Sequence, residues 1–63
     1  MWKFGLSIDE KVAFVKSKYP GAHSRIFGYT RHVIVDKSGN YLGSYSMSIK
    51  GAWSKAYNAV KYN

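Results

Sequence analysis

The chain has 63 residues, ten Lys/Arg against three Asp/Glu, a formal net charge of +7 and no cysteine. A chain this short buries only about 60% of the surface it exposes when unfolded, which leaves room for one compact domain and excludes two domains or a deep cofactor cleft. Without thiols there is neither a disulfide framework nor a thiolate metal site, so the fold must stand on its own core or on a second subunit. That core is aromatic, with six Tyr, two Trp and three Phe.

Met1 to Leu6 is a short aromatic lead-in carrying Trp2 and Phe4. Ser7-Ile8-Asp9-Glu10 then has the S-x-x-E form of a capping box, in which each residue's side chain satisfies the other's backbone N–H. Ile8, Val12, Val15 and Tyr19 recur at helical spacing, and Lys16 and Lys18 suit the negative end of the helix dipole. Pro20-Gly21 stops this helix.

Ala22 to Phe27 alternates, Gly28 interrupts, and Arg31-His32-Val33-Ile34-Val35 is rich in β-branched residues. The pattern over 22–36 fits one long bent strand or, as the favoured reading, two short strands with a turn at Phe27-Gly28-Tyr29-Thr30. Asp36-Lys37-Ser38-Gly39 has Asp first and Gly fourth, the arrangement of a hairpin turn. Tyr41 to Tyr45 reads as the returning strand. Ser48 caps a second helix in which Ile49, Ala52, Trp53, Ala56 and Val60 form the apolar stripe. Lys50, Ser54, Tyr57 and Lys61 occupy the other side.

The reading is therefore a single small α+β domain over 1–63. It has a helix at about 7–19, two or three antiparallel strands at about 22–27, 31–36 and 41–46, and a helix at about 48–61. The order is α-β-β-β-α, with the helices packed on one sheet face.

Lys18-Tyr19-Pro20-Gly21-Ala22, Leu42-Gly43-Ser44 and Ser48-Ile49-Lys50-Gly51-Ala52-Trp53-Ser54-Lys55-Ala56 together resemble a pattern seen in many small phage-encoded proteins. The resemblance covers nearly the whole chain and implies a phage-type origin and an α-β-α fold, with no reaction or site attached. The element order is also similar to the double-stranded-RNA-binding domain, and Ser48, Ala52 and Ala56 match positions that open that family's second helix. Ile49 and Trp53 stand at two positions where the family has lysine, leaving Lys50 and Lys55. Its Gly-Pro-x-His loop has no counterpart, so the similarity implies topology more than RNA binding.

Catalysis has little to work with. His32 and Asp36 lie about 13 Å apart along a strand, too far for a direct hydrogen bond. His23 approaches His32 only if the hairpin brings them together, and two histidines without a third ligand make a poor metal site. No serine has a base at a recognisable spacing, and Gly43-Ser44 lacks the glycines and lysine of a phosphate loop. No enzyme activity, metal or cofactor is expected.

Charge points instead to binding. The acids fall where folding uses them: Asp9 and Glu10 open a helix, and Asp36 opens a turn. The remaining surface is basic, which favours nucleic acid, DNA or RNA, or an acidic protein surface. Two candidate surfaces follow. One is the second-helix face with Lys50, Lys55, Tyr57 and Lys61, where cations alternate with rings. The other is a sheet face where Arg25, Phe27 and Tyr29 alternate on one strand and Tyr41 and Tyr45 on the next, extended by Arg31 and Lys37. Pointing outward, these would form a base-stacking platform; pointing inward, they would be core. The alternative function is a protein-binding inhibitor or modulator of a host or defence protein, acting alone or as a homodimer that buries the same face.

The longest apolar run, Val12-Ala13-Phe14-Val15, is far short of the roughly 20 residues of a membrane span, so no membrane partner is expected. Absence of cysteine fits a reducing compartment, and the expected location is the cytoplasm, that of the host cell for a phage protein.

Overall fold

A computed structural model of the chain describes residues 6–62; the aromatic lead-in over the first five residues lies outside them. The elements are α1 (Ile8–Lys18), β1 (His23–Phe27), β2 (Arg31–Val35) and α2 (Ile49–Val60). Each lies within a residue or two of its expected bounds, because each end carries its own local signal. At α1 the capping box is complete: the Ser7 hydroxyl accepts from the Glu10 N–H at 3.2 Å, and the Ser7 N–H donates to the Glu10 carboxylate at 2.8 Å. The Ser48 hydroxyl accepts from the Gly51 N–H at 3.0 Å and opens α2.

Strands β1 and β2 form an antiparallel hairpin in which Ser24 faces Ile34, Arg25 faces Val33 and Phe27 faces Arg31. A three-residue loop, Gly28 to Thr30, joins them, and Gly28 adopts φ 72°, a left-handed conformation that costs glycine little. Paired residues share a face, so Ala22, Ser24, Ile26, His32 and Ile34 lie on one side. That side meets α2. Val15, Ala22, Ile34, Leu42, Ala52, Trp53, Ala56 and Val60 form one buried cluster, with Ile8, Val12, Phe14, Tyr19 and Tyr57 packed at its border. Helix α2 is the central layer, with α1 against one flank and β2 below.

The third strand does not form. Residues 41–46 return beside β2 but make only isolated bridges, Val35 to Tyr41 and His32 to Ser46. Backbone bonds hold both ends: Leu42 N–H to Ile34 carbonyl at 2.8 Å, and a reciprocal His32–Ser46 pair at 2.7 and 2.8 Å. Between the bridges the returning chain has four residues opposite two on β2, so the ladder must bulge. The cause is Gly43, which runs directly under α2. A Cβ there would sit 2.9 Å from both the Ala56 Cα and the Ala56 nitrogen. The segment gives up strand pairing to bury Leu42 and to let α2 approach.

At the other end of β2, the Asp36 carboxylate accepts from the backbone N–H groups of Ser38 and Asn40 at 2.8 and 2.9 Å and from the Asn40 amide at 3.2 Å. The Gly39 N–H closes the turn on the Asp36 carbonyl at 3.0 Å. The Asn40 backbone N–H is the main cause of an Asp36 pKa held below the ordinary carboxylate value. The Asn40 side chain and the Ser38 and Gly39 N–H groups add to it, against an opposing effect of desolvation. A folded pKa below the unfolded one means stability that is complete above the unfolded value and lost as pH falls through the folded one. Urea midpoints measured across about pH 2–6 should therefore fall on acidification, and Asp36→Asn should flatten part of that fall. An unchanged acid limb in the variant would place the titration elsewhere.

Candidate functional site

The hairpin's second face, away from α2, carries His23, Arg25 and Phe27 on β1 and Arg31, Val33 and Val35 on β2. Tyr41, bridged to Val35, shares it, and Tyr45 reaches the same side. Val33 and Val35 are buried there, whereas Phe27, Tyr41 and Tyr45 stay 48%, 54% and 44% exposed. The rings of this face are therefore about half exposed and stand beside two valines that are wholly buried, so the face is part surface and part core. The Phe27 and Tyr45 rings pack with centroids 5.7 Å apart, and the Arg31 guanidinium lies 5.2 Å from the Tyr45 centroid. That is within cation–π range, so a planar cation and two rings form one continuous patch. Arg25 is exposed beside it. Tyr29 stands at the hairpin tip with its side chain wholly in solvent.

Electrostatics favour this end of the molecule. Asp9 and Glu10 lie at the start of α1, and Asp36 lies at the end of β2 far from the tip. No carboxylate interrupts the hairpin between His23 and Val35.

The helical residues separate into two groups. Tyr57 is half-buried and meets Phe14 of α1 edge-on, with centroids 5.2 Å apart. Lys11 and Lys61 both lie over the Tyr57 ring, at 5.8 and 5.3 Å, and Lys61 also lies 5.0 Å from the Tyr62 centroid. Lys11 further contacts the Ser54 hydroxyl at 3.5 Å. This side of α2, expected to face solvent, is partly covered by α1. Lys50 is exposed on the first turn of α2. Lys55, also exposed, precedes Tyr57 by two residues and so lies about 160° away around the axis at 100° per residue. The four helical positions do not form one surface.

Lys11 and Phe14 were not foreseen here, because the contact between α1 and α2 leaves no mark in either helix's own periodicity. Exposed aliphatic side chains were also missed: Ile26, Met47 and Ile49 are 65%, 71% and 46% exposed, and the Met47 sulfur lies 3.7 Å from the Thr30 hydroxyl at the tip. The apolar neighbours of Ser48 were their signal.

The two histidines cannot cooperate. His23 pairs with Val35 and His32 with Ile26, which puts them on opposite faces of the hairpin. His23 Nδ1 lies 2.9 Å from the Gly21 carbonyl, and buried His32 Nδ1 has no hydrogen-bond partner. Among the described residues no group of three His, Cys, Asp or Glu could hold a metal ion, and no helix is long and apolar enough to cross a membrane. No family model, no curated protein and no solved structure matches the chain.

Proposed function

We propose that this protein binds nucleic acid through the outward face and tip of its β-hairpin. One observation carries the reading: Arg25 and Arg31 flank an exposed Phe27–Tyr45 pair on an acid-free hairpin of a chain with net charge +7. Guanidinium groups bind phosphate in a fixed fork geometry and release counterions, while exposed rings offer flat surfaces to bases. The α-helical lysines contribute to the general field, which concentrates an anionic partner near the surface. Phage origin and a cytoplasmic setting belong with this proposal.

The test is fluorescence anisotropy of a labelled mixed-sequence oligonucleotide over a salt series. Affinity should fall linearly on a log–log plot, with a slope of about 0.7 to 0.9 per phosphate neutralised. Absence of binding at about 50 mM salt would overturn the reading. The triple variant Lys50→Ala, Lys55→Ala, Lys61→Ala should lower that slope by about two or less, since Lys50 and Lys61 share one side of α2 and Lys55 lies on another. Complete loss of binding would move the site to the helix.

A second reading, a protein-binding modulator, is supported by Ile26, Met47 and Ile49. Exposed aliphatic side chains are a common feature of protein interfaces. Capture of one defined protein from nuclease-treated lysate, lost on Ile26→Asp, would favour it, and concentration-dependent sedimentation would reveal a homodimer.

A further inference from the structure

The fold uses the backbone of the hairpin tip but not the side chain of Tyr29. Tyr29 is 100% exposed, so its ring adds nothing to the core. Phe27, Gly28, Tyr29, Thr30 and Arg31 line an open cavity of about 300 Å³ around it. Gly28 contributes backbone with open space where a Cβ would be, so nothing crowds that wall. The five lining residues are consecutive and include Tyr29 free in solvent, Phe27 and Arg31 held against the Tyr45 ring, and Thr30, whose hydroxyl lies 3.7 Å from the Met47 sulfur.

From this we infer that the tip cavity seats one unpaired base of a single-stranded nucleic acid against Tyr29 and Phe27, with Arg31 available to the adjacent phosphate; the inference rests on the nucleic-acid reading above. The physical reason for strand choice is access. A base inside a duplex is stacked on both sides and has no free face, whereas an unpaired base can swing onto a protein ring. A duplex can still meet Arg25 and Arg31 through its phosphates, but it has nothing to put in the cavity. Stacking is tolerant of sequence because every base has a flat π face, so the site selects strandedness and not sequence. Stacking itself does not distinguish ribose from deoxyribose, so DNA and RNA strands should behave alike there.

Tyr29→Ala tests this without risk to the fold, since the side chain packs against nothing. Binding is measured for one labelled sequence as single-stranded DNA, as single-stranded RNA and as a DNA duplex, at one low salt concentration. Tyr29→Ala should weaken both single strands by about 5- to 150-fold, the loss of one base–aromatic stack, and change duplex affinity by less than about twofold. Tyr29→Phe should retain wild-type affinity, because the ring and not the hydroxyl does the stacking. A 2-aminopurine placed in the strand should lose fluorescence on binding the wild type and lose less on binding Tyr29→Ala. Equal losses on strand and duplex, or no loss on either, overturn the inference. If the tip fails in this way while Arg25→Ala with Arg31→Ala still weakens every probe, nucleic-acid binding stands and only the base site falls. If the wild type binds no probe at all, both fall together.

Discussion

Replacing Trp53 with alanine should cost about 3–5 kcal/mol of folding stability, the usual range for truncating a buried large aromatic. Trp53 is 9% exposed and shares the core cluster with Val15, Ile34 and Leu42, so its removal opens the layer between α1 and the hairpin. The Lys16 amine 5.7 Å above its ring would lose a partner as well. A domain of 63 residues has in total roughly 3–9 kcal/mol at ~0.05–0.15 kcal/mol per residue. Trp53→Ala therefore removes about a third or more of what holds the chain folded. Urea unfolding followed by far-UV circular dichroism reads the loss through the two helices. Trp53→Phe, which keeps a ring, should cost less than the alanine variant. A midpoint unchanged in both would mean that the core is centred elsewhere.

The second large effect concerns the hairpin. Arg25→Ala combined with Arg31→Ala should weaken single-stranded oligonucleotide binding roughly hundredfold, taking about 1.5 kcal/mol or more for each charged hydrogen bond to phosphate. The salt slope should fall with it, by about 0.7 for each phosphate of a single strand that is no longer neutralised. Both side chains are exposed, so thermal unfolding should barely move and the two readouts separate binding from stability. Arg31→Lys is the informative companion. It keeps the charge but not the planar group lying 5.2 Å from the Tyr45 ring, so its affinity should fall between wild type and alanine. Wild-type binding by the double alanine variant would remove the hairpin face from consideration.

These predictions draw on opposite ends of the molecule, which is long in one direction: its extents are 40, 22 and 16 Å. The helices and the lower half of β2 supply the core. The tip keeps Tyr29 wholly in solvent and leaves Ile26 and Phe27 about half exposed or more, and that exposure does nothing for stability. A small domain with so limited a core gains most by burying every apolar group it can, and that makes the unburied tip the part that calls for a partner.

Local chemistry written in the chain determined the helix bounds, the caps and the hairpin turns. Ser7 with Glu10, Ser48 before Gly51, Pro20 after α1 and Gly28 at a left-handed φ each act over a few residues, so no distant contact is needed to read them. Strand alternation likewise told which residues share a face, but not which face would be covered. That was decided by tertiary packing, when Ile34 and Ala22 took the side under α2 and the other side kept Val33 and Val35 buried but Phe27, Tyr45 and Arg31 exposed. Packing also overruled the third strand, because Gly43 is drawn against Ala56 and the ladder beside β2 breaks. It placed Tyr57 against Phe14 too, and so covered part of a helix side that periodicity alone leaves to solvent. Periodicity reports one element's own axis, whereas these outcomes depend on the angle and distance between elements, which only the assembled core sets.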